Sequence, residues 1–216
     1  MFLKVAVSSL VSRKGSAVMT LMAISVAIFV LLGIEQIRQQ ARESFASTVS
    51  GVDLIVGAKT GSLNLLLYSV FRIGSPTDNI SWQAYREIAD ADDVAWTIPI
   101  SLGDSHKGYR VVGTTEAFFK YFSFGKKRRL AFYKGEAFEG TFDAVLGSEV
   151  ATALGYSMGT EVILAHGLAS ASFTKHDNQP FVVVGVLAPT GTPVDHTIHV
   201  RLEGIEAIHA LSLIHI

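Results

Sequence analysis

The sequence is 216 residues long and nearly neutral, with 18 basic and 19 acidic residues and a formal net charge of -1. Charged residues make up only 17% of the chain and hydrophobic residues 49%, with a mean hydropathy of +0.38. Roughly 25% charged residues is typical of soluble globular proteins. This composition excludes an intrinsically disordered chain, and the lack of a basic excess argues against a nucleic-acid partner.

The apolar excess is concentrated in residues 15–34 (GSAVMTLMAISVAIFVLLGI), which carry no charge. Because a helix rises about 1.5 Å per residue, this run spans about 30 Å, the thickness of the hydrocarbon core of a bilayer. The alternative is a cleaved signal peptide, whose apolar region is roughly 7–15 residues long and ends at a cleavage site between small residues. The run here is longer and ends at Gly33-Ile34, directly before Glu35, where there is no such cleavage site. The sequence therefore predicts an uncleaved transmembrane helix.

The charges on either side of this helix predict its orientation. Lys4, Arg13 and Lys14 precede it without an acidic residue, whereas the other 15 basic residues and all 19 acidic residues follow it. The positive-inside rule therefore places the N-terminus in the cytoplasm and everything from Glu35 onward on the outside, next to a lipid bilayer. Residues 2–12 are weakly amphipathic and are expected to lie along the inner membrane surface. The chain contains no cysteine, so the exterior part has no disulfides.

Helices and strands alternate irregularly in the exterior part. Residues 35–48 are polar, lack Gly and Pro, and are predicted to continue the helix out of the membrane as a stalk. Further helices are predicted over 63–71, from the N-cap Ser81 to about residue 91, and over 116–121, 148–154 and 204–210. Strands are predicted over 53–57, 94–102, 109–113, 161–165, 181–187 and 197–202. Because no βαβ period repeats, the pattern favours an α+β fold over a doubly wound α/β fold.

Residues 57–60 (GAKT) have an incomplete phosphate-binding pattern. A phosphate loop needs a Gly immediately before the Lys and a second Gly five residues earlier, so that backbone amides surround the phosphates. Ala58 occupies the first of these positions, and the spacing of the second is wrong. The better interpretation is a turn at the end of a strand, and we assign no nucleotide or other cofactor to this chain.

The other motifs do not assemble a catalytic centre. Residues 167–172 (GLASAS) lack the second Gly of a serine-nucleophile elbow. His196 and His199, beside Asp195, are three residues apart, and on one strand they would face opposite sides. We therefore interpret them as surface histidines rather than metal ligands. The sequence predicts that the chain is not an enzyme, with no catalytic, cofactor-binding or metal-binding residue.

Two further segments have both a structural and a functional interpretation. The basic run 126–129 (KKRR), part of a basic-to-aromatic loop over 126–133, has the charge to contact anionic lipid or nucleic acid. A solvated loop is the simpler interpretation and the one we favour. The very apolar residues 63–71 (LNLLLYSVF) are expected in the core, and an exposed patch that contacts a partner or substrate is the alternative.

Several runs, taken in order, resemble a known family. Residues 6–15 (AVSSLVSRKG), followed directly by the apolar helix, resemble the N-terminal signature of FtsX/MacB-type ABC transporter permeases. The exterior part resembles their MacB-like periplasmic core domain over 51–59 (GVDLIVGAK), 111–115 (VVGTT), 145–150 (VLGSEV) and 180–193 (PFVVVGVLAPTGTP). The last two runs are the most specific, and the resemblance covers nearly the whole chain.

The resemblance implies a permease subunit of a bacterial inner-membrane transporter. In such families two permease chains, identical or different, pair with cytoplasmic ABC ATP-binding subunits. Closure of the ATP-binding domains is relayed along the stalk helices to the periplasmic domains. The exterior domain would then act mechanically to export or release a peptide, a lipoprotein or a small amphiphile. The alternative is a single-pass, membrane-anchored periplasmic binding or adaptor module, and a third hypothesis, an anchored hydrolase, lacks a nucleophile motif.

These expectations divide the chain into five parts. They are a cytoplasmic segment over 1–14, a transmembrane helix over 15–34, a stalk over 35–50, a MacB-like mixed α/β periplasmic core domain over 51–210 and a tail over 211–216. Members of the family continue into three further transmembrane helices, and the tail (LSLIHI) resembles translated sequencing-adapter read-through. We therefore expect the chain to be a fragment of a longer permease.

Overall fold

A computed structural model describes residues 8, 11–48, 50–74, 78–166 and 179–214, without the side chains of 41–47 and 210–214. The chain divides into two compact units, Met1–Phe45 and Ala46–Ile216. Most of the amphipathic segment predicted over 2–12 and the whole GLASAS run over 167–172 lie outside the described residues.

The first unit is dominated by helix α1, Lys14–Thr48, whose last three residues belong to the second unit. Its 35 residues give a length of about 50 Å at 1.5 Å per residue. Lys14–Gln40 is long and apolar enough to cross a membrane, and none of its most apolar window is buried inside the protein. As predicted, the helix does not stop at the end of the apolar run. On its polar part, Arg38 forms an exposed ion pair with Glu35 one turn earlier, at 2.9 Å.

The second unit is built on an eight-stranded mixed sheet. The strands are β1 (Ser101–His106), β2 (Tyr109–Thr114), β5 (Phe132–Gly135), β6 (Asp143–Leu146), β7 (Glu161–Val162), β8 (Ala165–His166), β9 (Phe181–Leu187) and β10 (Thr197–Arg201). Seven of these strands are hydrogen-bonded in the order β5-β9-β6-β10-β2-β1-β8. The eighth, β7, lies outside this order and pairs with β9. Strand β10 runs parallel to β2 and antiparallel to β6, whereas β6 and β9 are parallel. The separate strands β3 (Ser123–Phe124) and β4 (Arg128–Arg129) form a small hairpin.

Shorter helices precede, connect and follow the strands. They are α2 (Ser62–Ser69), α3 (Trp82–Ala89), α4 (Ala117–Tyr121), α5 (Ser148–Leu154), a 3-10 turn (Pro193–His196) and α6 (Leu202–Ile214). Ser81 caps α3 as predicted, because its hydroxyl accepts the amide hydrogen of Ala84 at 3.2 Å. Helix α5 ends at Gly155, whose positive φ of 66° is the left-handed conformation typical of a glycine helix stop. The α+β class and the predicted helices are confirmed.

The sheet is covered on both faces by apolar side chains. One core cluster includes Ala144 and Leu146 of β6, and the other includes Val145 between them. Successive side chains of a strand point to opposite faces, so the two clusters lie on either side of the sheet. The second cluster is rich in aromatic residues, among them Phe118 and Phe138, which have no exposed surface.

Several predicted strands are wrong or shorter than expected. Residues 53–57 form neither a helix nor a strand, and the strand predicted over 94–102 begins only at Ser101. Pro99 has no amide hydrogen to donate to a neighbouring strand, and its carbonyl accepts the hydroxyl of Thr114 at 2.7 Å. Residues 94–100 therefore do not pair as a strand; Val94, Trp96 and Ile98 are partly buried, and Ile100 is exposed.

The remaining differences are local. The strand predicted over 161–165 is split into β7 and β8, which pair with different neighbours. The loop predicted over 126–133 contains β4 and the first residues of β5. All four basic residues 126–129 are exposed, as a solvated segment requires, and the Arg128 guanidinium lies 4.6 Å from the centre of the Phe124 ring.

Candidate ligand-binding cleft

A cleft of about 1000 Å³ opens in the second unit. Its walls are residues 52–58 and 60, helices α2 and α3, residues 93–104 and the inner side of α6. Ligand sites of proteins are typically clefts of roughly 300–1,000 Å³ with apolar walls and a few polar groups. By size and lining, this cleft is the leading candidate for a binding site among the described residues.

Helix α2 forms one wall of the cleft rather than part of the core. None of its residues is buried, and Leu63 is 67% exposed, whereas Leu65 and Tyr68 line the cleft. The expectation that residues 63–71 lie in the core is therefore wrong for the helix itself. Its apolar residues surround the helix instead of forming one stripe, so a single face cannot bury them all.

Two tyrosine hydroxyls connect the walls. The Tyr68 hydroxyl donates to the carbonyl of Leu102, and the Tyr85 and Thr97 hydroxyls lie 3.1 Å apart. Burial raises the pKa of Tyr68 to about 12, so its hydroxyl keeps the proton that it donates. These bonds join α2 and α3 to the chain that leads into β1.

Aromatic rings give the cleft flat apolar surfaces. Trp82 stacks on Tyr85 with 4.7 Å between ring centres, and both residues line the cleft. Trp96, on the facing segment, stacks on Tyr121 at 5.2 Å with the two rings nearly parallel. Tryptophan and tyrosine combine a large apolar area with little loss of conformational freedom, which suits them to binding surfaces.

The cleft is negatively charged overall. Its lining includes five acidic residues, Asp53, Asp78, Asp93, Asp104 and Glu206. Arg72 also lines it but is buried, and its guanidinium donates to the carbonyl of Ser69. Burial lowers the pKa of Arg72 to about 10, which leaves it positively charged at neutral pH. Among the described lining residues, the acids therefore outnumber this single arginine.

His209 brings a titratable group to the same cleft. Its Nε2 lies 3.8 Å from a carboxylate oxygen of the buried Asp104. A hydrogen bond with Asp104 raises the pKa of His209, because the carboxylate favours the charged imidazolium. The pair joins α6 to β1 at one side of the cleft.

His196 and His199, which were considered together as candidate metal ligands, are not close to each other in the structure. His196 is exposed at the end of the 3-10 turn, whereas His199 has no exposed surface and stacks on Phe118 at 4.8 Å. The interpretation of His199 as a surface residue is wrong, because the central strand β10 carries it into the core. Within the described part of the chain, no group of His, Cys, Asp and Glu side chains is placed to hold a metal ion.

The GAKT run lies on the cleft rather than at the end of a strand. Gly57, Ala58 and Thr60 contribute to the lining. A Cβ atom on Gly57 would lie 2.4 Å from a methyl group of Leu65, so this glycine lets the chain pass close to α2. Gly57 therefore serves packing against α2.

The two most specific family runs, 145–150 and 180–193, meet in space, where Val145 and Leu146 of β6 pair with Gly185 and Val186 of β9. The carboxylate of the buried Asp195 accepts both the amide and the hydroxyl of Thr190, at 2.9–3.0 Å, and the amide of Gly191 at 2.7 Å. A Cβ atom on Gly147 would lie 2.3 Å from the Val194 carbonyl oxygen, so only glycine allows this approach. The runs build a junction between β6, β9 and β10.

Comparison with family models matches residues 17–209 to the MacB-like periplasmic core domain. The chain belongs to this family. A search of curated proteins finds no match. Membership places the chain among ABC-transporter-type permeases, whose MacB-like domain is of transporter type rather than catalytic, and implies an ATP-binding partner. Together with the apolar helix α1, it indicates a membrane-anchored protein.

The sequence named no site residue, and the cleft of this MacB-like domain shows why. Tyr68, Trp82, Tyr85 and Trp96 form no motif, and three separate segments contribute them. The sequence feature that could have indicated the cleft was composition, because residues 53–104 contain both tryptophans of the chain and several acidic residues. The role of Asp195 was also missed, because it accepts amides five and four residues earlier in the chain, those of Thr190 and Gly191.

Proposed function

We propose that this chain is a permease subunit of an ABC transporter in a bacterial inner membrane. ATP hydrolysis on a cytoplasmic partner moves the periplasmic domain, which exports or releases a peptide, a lipoprotein or a small amphiphile. The observation that carries the proposal is the match to the MacB-like periplasmic core domain over residues 17–209, together with an apolar helix at the N-terminus. In this proposal residues 15–34 span the membrane, 35–50 form the stalk and 51–210 form the working domain.

The form of α1 supports mechanical coupling. The helix continues from Lys14 to Thr48, and it contains neither Gly nor Pro after Gly33. A continuous helix resists bending, whereas a Gly/Ser-rich linker behaves as a flexible coil. Displacement of one end of α1 is therefore passed to the other end instead of being absorbed.

Co-purification from native membranes tests the proposal. The product of the native gene, affinity-tagged at its N-terminus and solubilised in mild detergent, is expected to retain an ABC ATP-binding subunit and a second permease chain, both identified by mass spectrometry. A tagged version that begins at residue 51 and is directed across the membrane by a foreign signal peptide is the control, and it is expected to lose the ATP-binding subunit. Recovery of periplasmic proteins without any ATPase would contradict the permease role and favour the anchored binding module, which the cleft also suits.

Membrane orientation gives a second prediction. The chain contains no cysteine, so a single Cys placed by Ser12→Cys or Asp92→Cys is the only thiol that can be labelled. Because the basic residues precede the apolar run, a membrane-impermeant maleimide is expected to label position 92 but not position 12 in cells with a permeabilised outer membrane. Lysed cells are the control and should label at both positions. Labelling of position 12 before lysis would reverse the proposed topology.

A further inference from the structure

The hairpin of β3 and β4 lies in the most basic segment of the second unit. Residues 117–135, which contain it, have six basic residues and no acidic residue. All six are exposed, namely Lys120, Lys126, Lys127, Arg128, Arg129 and Lys134. None of them forms an ion pair with a side chain that the structure describes. The remaining side chains of the sequence include only two acids, Glu43 and Asp177, so the segment keeps a surplus of positive charge.

Hydrogen bonds fix the base of this hairpin. The Ser50 amide donates to the Ser123 carbonyl at 3.0 Å, and the Ser123 hydroxyl donates to the Ser50 carbonyl. The Arg129 guanidinium donates to the carbonyl of Lys120 in α4. Lys120 also shares a shallow groove with glutamates of residues 116–139. The least neutralised positive charge is therefore at the tip of the hairpin, and its base is bonded to the chain that leaves α1.

An acidic segment lies beside the basic one. Residues 87–93 have four acidic residues and no basic residue, and Arg86 directly precedes them. All four acids are exposed, namely Glu87, Asp90, Asp92 and Asp93. Trp96, three residues after this segment, stacks on Tyr121 at 5.2 Å between ring centres. Because Tyr121 is the last residue of α4, directly before the hairpin, the two charged segments are neighbours.

The two charged segments belong to the same face of the sheet. Ile98, which follows the acidic segment, and Leu130, which follows the hairpin, both pack against the aromatic core cluster. Neighbouring surfaces of opposite charge are self-complementary, because a two-fold rotation about an axis between them places each one on the other in a second copy. Opposite charges across an interface also steer association and determine its register. The observations therefore favour a second copy of this chain over anionic lipid as the partner of the hairpin.

We propose that the basic hairpin, residues 123–129, docks on the acidic segment, residues 87–93, of a second copy of this chain, and that the contact is reciprocal. The inference rests on the proposed function, because the second copy is the second permease chain. Since the hairpin is bonded to Ser50, movement of the end of α1 reaches this contact. The test measures contact between two copies and needs no ATPase. Its failure is therefore distinguishable from a failure to co-purify the ATP-binding subunit.

Cross-linking between two copies tests the contact, since the chain contains no cysteine of its own. Two differently tagged copies of the full chain are co-expressed, one with Ala131→Cys beside the hairpin and the other with Ala91→Cys within the acidic segment. Both alanines are exposed, and both substitutions leave every charge in place. After treatment of the membranes with a short bismaleimide, we expect a product that carries both tags.

The matched control pairs Ala131→Cys with Ala153→Cys. Ala153 is also an exposed alanine, but it belongs to α5, whose Val150 and Leu154 pack against the core cluster on the other face of the sheet. This pair is expected to give no more product than copies without cysteine.

Charge reversal tests the chemistry of the contact. Lys126→Glu with Lys127→Glu, in the copy with the hairpin cysteine, is expected to reduce the product at least about fivefold, because like charges then meet. Asp90→Lys with Asp92→Lys, in the other copy, is expected to have the same effect. When the two reversed copies are combined, we expect the product to return to within about twofold of the parent pair, because opposite charges meet again. A variant that merely failed to fold would not be restored in this way.

Three results would overturn the proposal. The first is as much product with Ala153→Cys as with Ala91→Cys, which would mean that the copies collide without a specific contact. The second is product that the charge reversals do not reduce, or that the combined reversals do not restore. The third is no product between the two copies. A fluorophore on Ala131→Cys that then responds in nanodiscs of phosphatidylglycerol, but not of phosphatidylcholine, would assign the hairpin to anionic lipid instead.

Discussion

Replacing the buried His199 by Phe is expected to flatten the pH dependence of the stability of the MacB-like domain. Burial, with a smaller contribution from the positive charge of Arg72, lowers the pKa of His199 to about 3. The Val145 backbone opposes this shift weakly, and neither ring nitrogen meets hydrogen-bonding geometry with a described residue. The ring is instead held by stacking on Phe118 and by an edge contact with Phe119.

The sign of the effect follows from proton binding. An unfolded histidine has a pKa of about 6.5, so between about pH 6.5 and pH 3 the unfolded chain binds a proton that the folded chain does not. The free energy of unfolding therefore falls as the pH falls through this window, by up to about 1.4 kcal/mol per pH unit. Between pH 7 and pH 4.5 the His199 contribution is about 2–3 kcal/mol. His199→Phe removes this contribution.

Urea unfolding at pH 7 and pH 4.5, followed by tryptophan fluorescence, measures the effect in the full chain in micelles. Both tryptophans belong to the second unit, so the signal reports on that unit alone. His196→Gln is the control, because the side chain of His196 is exposed. It is expected to retain the parent difference between the two pH values, and an equal difference in the His199→Phe variant would show that His199 does not control it.

His199 also shows where the sequence stops being informative about the fold. The apolar run of α1, the Ser81 cap, the Gly155 stop and the strand Phe181–Leu187 each depend on local chemistry, and each was predicted. The burial of His199 depends on β10 lying between β6 and β2, which is a property of the sheet order. No local pattern around residue 199 reports that order, so a polar residue type was placed at the surface.

The cleft was missed for a related reason. Alternating apolar residues over 94–102 have the same pattern whether they pair in a sheet or line a cleft, because both leave one side covered. Only the part Ser101–His106 pairs with a neighbouring strand. The first part of the predicted strand forms a wall of the cleft instead. Likewise, the apolar run 63–71 predicts a helix that is shielded from water. It does not indicate whether protein or a ligand covers that helix.

Replacing Asp195 by Ala is expected to destabilise the MacB-like domain by about 3–5 kcal/mol. The carboxylate accepts the amides of Thr190 and Gly191 and the hydroxyl of Thr190, all at 2.7–3.0 Å. Ala removes every one of these acceptors and leaves the amide of the buried Thr190 without this partner, whereas Gly191 is exposed. Because domains of this kind are stable by only about 5–15 kcal/mol, the loss is a large fraction of the total.

The comparison with Asp143→Ala separates burial from hydrogen bonding. Asp143 also accepts two backbone amides, those of Glu139 and Gly140, at 2.9 and 2.6 Å, but its side chain is partly exposed. Water can replace that carboxylate, so we expect a loss of only about 1 kcal/mol in the same urea measurement. Equal losses of stability for the two variants would mean that burial of the Asp195 carboxylate adds nothing to its contribution. The presence of the most specific runs of the family would then require an explanation other than stability.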